Sequence, residues 1–457
     1  MNWLNDIIGV INNYLWSYVL IVMLIGIGLW FTVRTRFVQI RCIPEMFRLM
    51  TEGAGAKPRE GHISTFQAFC VSTASRVGVG NIAGIAIAVA TGGPGAVFWM
   101  WVIATIGAAS GFVESTLAQI YKAPRKGGGF VGGPAYYIGN VIGSSFFASV
   151  FAVLLAVTYG LIFNSVQANT ISLSMQTSFG FDTQMTGLAI AGFTALVIFG
   201  GLTRIAKVVG VMVPVMAGAY ILVALAVTAL NITMVPEVLV TIVRCAFDFD
   251  AVLGAGFGMA LMTGIKRGLF SNEAGMGSTP HAHAVARVEH PAEQGLVAMF
   301  GVFTTVVIVT FTGIVILVTG VLDFKTTGIE LTQHAYTVGL GSFGMAFVAV
   351  CLFFFAFSTI MGWYFFGEQN VRFLFRSRGV LAYRVIVCAF IVTGAMLKVD
   401  FVWSLADLFN GLMVLPNLVA LVALHKVVGE SLEDFEKKLD HYEERKSENI
   451  DDRMQRL

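Results

Sequence analysis

Long apolar runs, following one another along nearly the whole chain, fix what it can fold into. Stretches near 16–36, 64–91, 96–121, 145–176, 185–201, 207–230, 251–271, 295–322, 344–367, 380–398 and 403–425 are dominated by Leu, Ile, Val, Phe, Ala and Gly. As a helix, about 20 such residues cross a hydrocarbon core of about 30 Å. A bilayer admits only helices or closed barrels, because backbone N–H and C=O groups find no water inside it. The length criterion gives roughly eleven helical crossings. Composition agrees: 56% of the residues are hydrophobic and 12% are charged, a balance that excludes an ordinary soluble domain. The fold class is therefore an all-α polytopic membrane protein. A net charge of +2 offers nothing to a polyanion such as nucleic acid. Cys42, Cys70, Cys245, Cys351 and Cys388 form no CxxC pair and read as small packing residues. The N-terminal MNWLNDIIGVINNYLW has neither a basic region nor a cleavage site and reads as an interfacial helix, not a signal peptide.

Basic residues orient the runs. Arg34, Arg36, Arg41, Arg48, Lys57 and Arg59 follow the first; Lys122, Arg125 and Lys126 the third; Arg204 and Lys207 the fifth; Arg372, Arg376, Arg378 and Arg384 the ninth. The intervening connections are nearly free of Lys and Arg, so the N-terminus is expected outside and the C-terminus in the cytoplasm. The charged segment after His425 reads as a solvated cytoplasmic helix. Segments 231–250 and 323–343 are too long for tight turns, and the first has the apolar spacing of a helix lying at the outer interface.

Polar residues and glycines interrupt two of the runs. The second carries Ser72, Thr73, Ser75, Arg76, Gly78, Gly80 and Asn81; the seventh carries Thr263, Gly264, Lys266, Arg267, Gly268, Ser271, Asn272 and Glu273. Backbone at membrane depth leaves the helical ladder only beside protein or a hydrated cavity. The seventh run lies five after the second and crosses in the opposite direction. Runs two to six and seven to eleven then read as inverted repeats, each opening on a broken helix, the sequence pattern of a transporter's binding site. Close helix packing through small residues is the plainer explanation, but packing alone does not call for Arg, Lys, Asn and Glu in the same places.

The chemistry of such breaks selects a ligand. Freed N–H groups and a positive helix end suit a carboxylate; freed carbonyls suit a cation. An amino-acid zwitterion together with Na⁺ satisfies both. The ninth run adds adjacent hydroxyls, Ser358 and Thr359, and the carbonyl of Phe355 one turn earlier. With carbonyls from the second run these make a neutral cage for a hard cation, although such hydroxyls also commonly bond back to their own helix.

The quoted segments, together with GGPGAVFWMW (92–101), GFVEST (111–116), TGIKRGLFSNEAGMGSTPHAHA (263–284) and FAFSTIMGWYFFGE (355–368), resemble the alanine/glycine:cation symporter family of bacterial and archaeal Na⁺/alanine carriers. The resemblance covers nearly the whole chain. It implies a LeuT-like five-plus-five inverted repeat with one peripheral N-terminal helix: residues 1–40 for that helix, 60–230 and 250–425 for the repeats, and 426–457 for a cytoplasmic tail. It also implies Na⁺-driven uptake of alanine or glycine across the bacterial or archaeal plasma membrane by alternating access, with no organic cofactor and no obligate protein partner. Carried over position by position, Ala74, Val77, Phe355, Ser358 and Thr359 would hold Na⁺. Arg76, Gly78, Gly80, Gln167, Thr263, Gly264 and Trp363 would line the substrate site. Arg76 departs from the small residue common there in LeuT-like carriers, which puts a second cation site nearby in doubt. Trp363 lies near the basic end of its run and could instead anchor at the interface.

Glu114 lies about 12 Å inside the third run at helical rise, and an intramembrane acid needs a partner, for which Lys266 and Arg267 are the candidates. Asn272 and Glu273 are candidate caps for an inner half-helix. His281, His283 and His290 match no zinc spacing and read as hydrogen-bonded loop residues. No ATP-binding motif appears, so an ion gradient is the expected energy source. An H⁺-coupled carrier or exchanger is the alternative. A channel, which would need an aligned polar lining instead of two breaks, is the reading from another class. An intramembrane hydrolase finds no nucleophile–base pair.

Overall fold

The computed structural model describes residues 2–55, 63–125, 129–249 and 256–454, and these are helical almost throughout. In chain order the helices are α1 (Asn2–Tyr14), α2 (Ile21–Arg34), α3 (Val38–Arg41), α4 (Ile43–Gly55), α5 (Thr65–Arg76), α6 (Ile85–Gly92), α7 (Gly95–Ile120), α8 (Pro134–Ile142), α9 (Ser145–Val157), α10 (Asn164–Phe179) and α11 (Thr183–Ile198). They continue with α12 (Gly201–Leu230), α13 (Val235–Ala246), α14 (Gly256–Asn272), α15 (Pro280–Ala284), α16 (Pro291–Val318), α17 (Gly328–Leu340), α18 (Ser342–Phe375), α19 (Val380–Ala395), α20 (Val399–Ala423) and α21 (His425–Met454). π-helical turns at Leu15–Leu20, Gly80–Gly84 and Thr158–Phe163 join α1 to α2, lead into α6, and join α9 to α10. Lys57, Arg59, Lys126 and the start of the seventh run lie outside the described residues.

Among the described residues, seven helical stretches are long and apolar enough to cross a membrane, or up to eight if the bent pair Thr65–Arg76 and Gly80–Gly92 is one crossing. α11 and α19 are apolar but shorter, at 16 residues each. α14, at 17 residues, is also shorter and carries Lys266 and Arg267. The protein is an integral, all-α membrane protein.

Three expectations change. The N-terminal segment is not a separate interfacial helix: Asp6–Arg34 is one continuous 29-residue helical stretch, because the π turn at Leu15–Leu20 carries the helix on and no proline stands between α1 and α2. The tail is not solvated on all sides, since Val428, Leu432 and Phe435 of α21 are buried and Arg41 meets Glu436 at 2.5 Å. The third concerns the seventh run. The second run breaks as expected, α5 ending at Arg76 and the chain bending by 47° into Gly80–Gly92. The seventh does not break at its first polar residues: Thr263, Gly264, Lys266, Arg267 and Gly268 are all helical. α14 runs unbroken to Asn272, and the ladder is lost at 273–279, where Glu273, Gly275 and Gly277 take left-handed φ of 55°, 81° and 82°. Gly264 explains part of the misreading. A Cβ there would lie 2.6 Å from the Ala96 carbonyl of α7, so this glycine serves close helix packing.

α13, in the connection expected to lie at the interface, and α17, in the other long connection, each pack one side on the bundle. α17 reaches into the bundle, its Thr332 hydroxyl donating to the Ile82 carbonyl of the π turn at 2.8 Å.

Candidate functional site

Where α5 ends, the last carbonyls of the helix lose their partners. The Thr359 hydroxyl of α18 lies 2.7 Å from the Ala74 carbonyl, 3.3 Å from that of Val77 and 2.9 Å from that of Phe355. Ser358 Oγ is 2.8 Å from the same Phe355 oxygen. A hydroxyl carries one hydrogen, so Thr359 cannot serve all three carbonyls at once. The surplus lone pairs face one another in a buried place, an arrangement that a small hard cation relieves. All the residues named for the cage are thus brought together.

Glycine is required beside it. A Cβ on Gly78 would lie 2.4 Å from Thr359 Oγ1 and 3.1 Å from Gln167 Oε1, and one on Gly80 would lie 3.0 Å from the Phe270 ring. Gln167 Oε1 accepts the Val79 N–H at 3.2 Å, while its Nε2, buried, has no partner among the described residues. Trp363 is 1% exposed, which settles against an interfacial anchor. Its ring centroid lies 5.5 Å from Tyr159, 5.0 Å from Phe163 and 5.8 Å from Phe270. Gln167, Gly78, Gly80 and Trp363 therefore gather around the break. Thr263 and Gly264 do not: they sit more than two turns up α14, with Gly264 against α7. Arg76, although next to the break, turns away from it, donating to the Ala298 carbonyl at 2.7 Å and to Thr279 Oγ1 at 2.9 Å.

The 273–279 stretch is held differently. Glu114 accepts the N–H groups of Gly277 at 2.9 Å and Gly275 at 3.2 Å, with Asn417 Nδ2 at 3.1 Å. Glu273 accepts from Trp363 Nε1 at 2.6 Å, Ser278 at 2.7 Å and Ser75 at 3.1 Å. Glu114 is thus a backbone anchor, and its expected partners go elsewhere: Lys266 lies 3.2 Å from Asp407 and Arg267 pairs with the same carboxylate. Asn272 Oδ1 takes the Ala274 N–H at 2.9 Å, while Glu273 caps no backbone N–H. His281 and His283 are buried, not loop-exposed, and bonded at both ring nitrogens, His281 to Ser278 and Asn370, His283 to Gln294 and Ser72. No cluster of metal-ligating side chains occurs among the described residues.

On the α17 side of the break lies a cavity of about 290 Å³, lined among others by Ala83, Asn169, Arg267, Asp400, Trp403 and Asp407. On the other side, Arg76, Glu114, Glu273 and their partners close the interior with protein–protein hydrogen bonds. Sequence reasoning missed Phe163, Phe270, Trp403 and Asp407. Asp407, an acid within an apolar run, carried the same signal as Glu114; the aromatics carried none.

The model of the sodium:alanine symporter family matches residues 1–449, and the chain belongs to that family, whose members are transporters and not enzymes. A probable sodium/glutamine symporter of Bacillus subtilis (strain 168) is 48% identical over 94% of this chain and 91% of its own length. A sodium/alanine symporter of Methanococcus maripaludis is 38% identical over 93% and 95%. A sodium/proton-dependent alanine carrier protein of Bacillus sp. (strain PS3) is 39% identical over 86% and 92%.

Proposed function

We propose that this protein is a Na⁺-coupled symporter that takes up small neutral amino acids of the alanine and glycine type. The observation that carries the reading is the knot of carbonyls of Ala74, Val77 and Phe355 around Thr359 Oγ1, oxygen-rich, uncharged and buried. Na⁺ takes these oxygens, with Ser358 beside them. The substrate carboxylate faces the backbone amides around Gly78 and Gly80, and Gln167 Nε2 supplies a further donor for it. Trp363, Tyr159, Phe163 and Phe270 wall the side-chain pocket, which keeps the substrate small.

The fold reading that goes with this is a LeuT-like five-plus-five repeat of eleven crossings, N-terminus outside and C-terminus in the cytoplasm, in the plasma membrane. The open cavity beside α17 is then the outer entrance, and the Arg76–Glu114–Glu273 network is the closed inner path. Alternating access exchanges the two. Inward Na⁺ movement is worth about 2.3 kcal/mol per charge per 100 mV, enough to drive accumulation.

The deciding experiment is uptake into proteoliposomes of labelled alanine, competed by D- and L-alanine, glycine, serine and glutamine, with Na⁺ replaced by choline. Saturable, Na⁺-dependent uptake competed by the small members is expected. Uptake that persists in choline and follows a pH gradient would favour H⁺ coupling, and non-saturating flux a channel. Strong competition by glutamine, named for one relative, would enlarge the pocket assignment.

A further inference from the structure

The first membrane crossing packs where a peripheral helix would have no reason to reach. Trp16, in the π turn between α1 and α2, is fully buried, and its indole N–H donates to the Asp407 carbonyl of α20 at 3.1 Å. One turn away, Asn12 Nδ2 donates to the Ser404 carbonyl at 2.9 Å. Both donors act on carbonyls that α20 already uses in its own ladder, so they fix that helix's height and rotation. Gly411 lets the helices meet, since a Cβ there would lie 2.4 Å from Leu15. Below it, Pro416 stands inside α20 and removes a ladder hydrogen bond, which weakens the helix at that point. The outer part of α20 is thus a lever clamped by the first crossing above a weak point.

That lever carries Trp403 and Asp407, both on the cavity wall. Facing them from α14 are Lys266 and Arg267, each paired with Asp407, and the Arg267 guanidinium lies 4.6 Å over the Trp403 ring. Trp16 touches this side too: Lys266 Nζ stands 5.5 Å over its ring, and Ser17 Oγ meets Met262 Sδ at 3.5 Å.

We infer that the first crossing is a working part of the outer closure: Trp16 is a positioning residue that holds Asp407 where Lys266 and Arg267 of α14 meet it. The inference rests on reading the cavity as the outer entrance.

The test uses the full chain in proteoliposomes, with its native cysteines replaced by alanine and Leu173→Cys introduced on the cavity wall as a reporter for a membrane-impermeant maleimide. In the parent, Na⁺ plus alanine should slow labelling. Trp16→Phe keeps the ring and loses the N–H, and should cut that protection by about five- to tenfold, the effect of one buried hydrogen bond. Asp407→Asn should do the same, and the double variant should be no worse than Asp407→Asn alone. A merely structural tryptophan would lower folded yield without changing the protection ratio of what folds. Unchanged protection in Trp16→Phe, or a double variant whose losses multiply, overturns the inference and leaves the entrance reading intact. No protection in the parent overturns both.

Discussion

Two interruptions of helix lie side by side in this protein and are built on opposite principles. At 77–79 the chain leaves the ladder among uncharged groups, and the carbonyls of Ala74 and Val77 converge on a hydroxyl that cannot satisfy them together. At 273–279 the freed N–H groups of Gly275 and Gly277 are taken by the carboxylate of Glu114, while Glu273 is fully engaged by Trp363, Ser278 and Ser75. The first break keeps acceptors in surplus; the second has permanent protein partners. The difference is one of unfinished against finished hydrogen bonding: only the first break has acceptors left for a ligand to take, and the charged break, the more conspicuous in the sequence, is the one the protein ties together itself.

Three substitutions test the contrast. Gly78→Ala should have the largest effect: with Thr359 Oγ1 at 2.4 Å from the new Cβ, a misfit of about 3 kcal/mol should lower Na⁺-dependent uptake about 100-fold. Near-normal uptake would remove Gly78 from the site. Glu114→Gln should act on stability instead. It turns an acceptor of backbone N–H groups partly into a donor and should cost about 2–3 kcal/mol, seen as a lower midpoint in thermal unfolding of the detergent-solubilised protein. The protein that remains folded should keep its Na⁺ dependence, and a shifted dependence would break the distinction between the breaks. Thr359→Ala should raise the Na⁺ concentration for half-maximal uptake about tenfold, with Thr359→Ser restoring it. An unchanged value in the alanine variant would take the hydroxyl out of the cage.

Much of this was legible in advance, for reasons that differ by residue. The second run's break is written in Gly78 and Gly80, which have no role in a straight lipid-facing helix, and Ser358 with Thr359 are conspicuous in an apolar run. The seventh run misled because polarity and unwinding do not coincide there. Lys266 and Arg267 are charged yet helical, and their partner Asp407 lies 140 positions beyond Arg267, whereas the unwinding is set by left-handed φ at Glu273, Gly275 and Gly277. Pairing Glu114 with the nearest cations failed for the same reason: backbone N–H groups are partners that no sequence displays. The aromatic wall of Tyr159, Phe163 and Phe270 was hidden because apolar rings inside apolar runs look alike whether they face a pocket or a neighbouring helix.

The smallest effect lies just past the second break, where the chain turns from α15 into α16. His290 caps α16: its Nδ1 accepts the Ala292 N–H at 3.2 Å, and its Nε2 meets Asp434 of α21 at 3.2 Å. Only the neutral ring, protonated at Nε2, can do both, because a proton on Nδ1 would face the Ala292 N–H. Burial, outweighing the attraction of Asp434, holds the His290 pKa below its ordinary value, with Lys438 acting in the same direction. A histidine depressed in the folded state contributes stability that is complete above the ordinary value of about 6.5 and is lost as pH falls through the folded value. Acidification should therefore weaken the cap at the start of α16, read as faster hydrogen exchange of the Ala292 amide. His290→Asn keeps a cap and should flatten that pH response, while His290→Ala should cost about 1 kcal/mol above the ordinary value and progressively less in acid. Because the oxygens gathered at Thr359 belong to backbone carbonyls and hydroxyls, which do not titrate, neither variant should alter the Na⁺ requirement. If one did, the charged break and the neutral one would be coupled parts of a single site, and the contrast between them would fail.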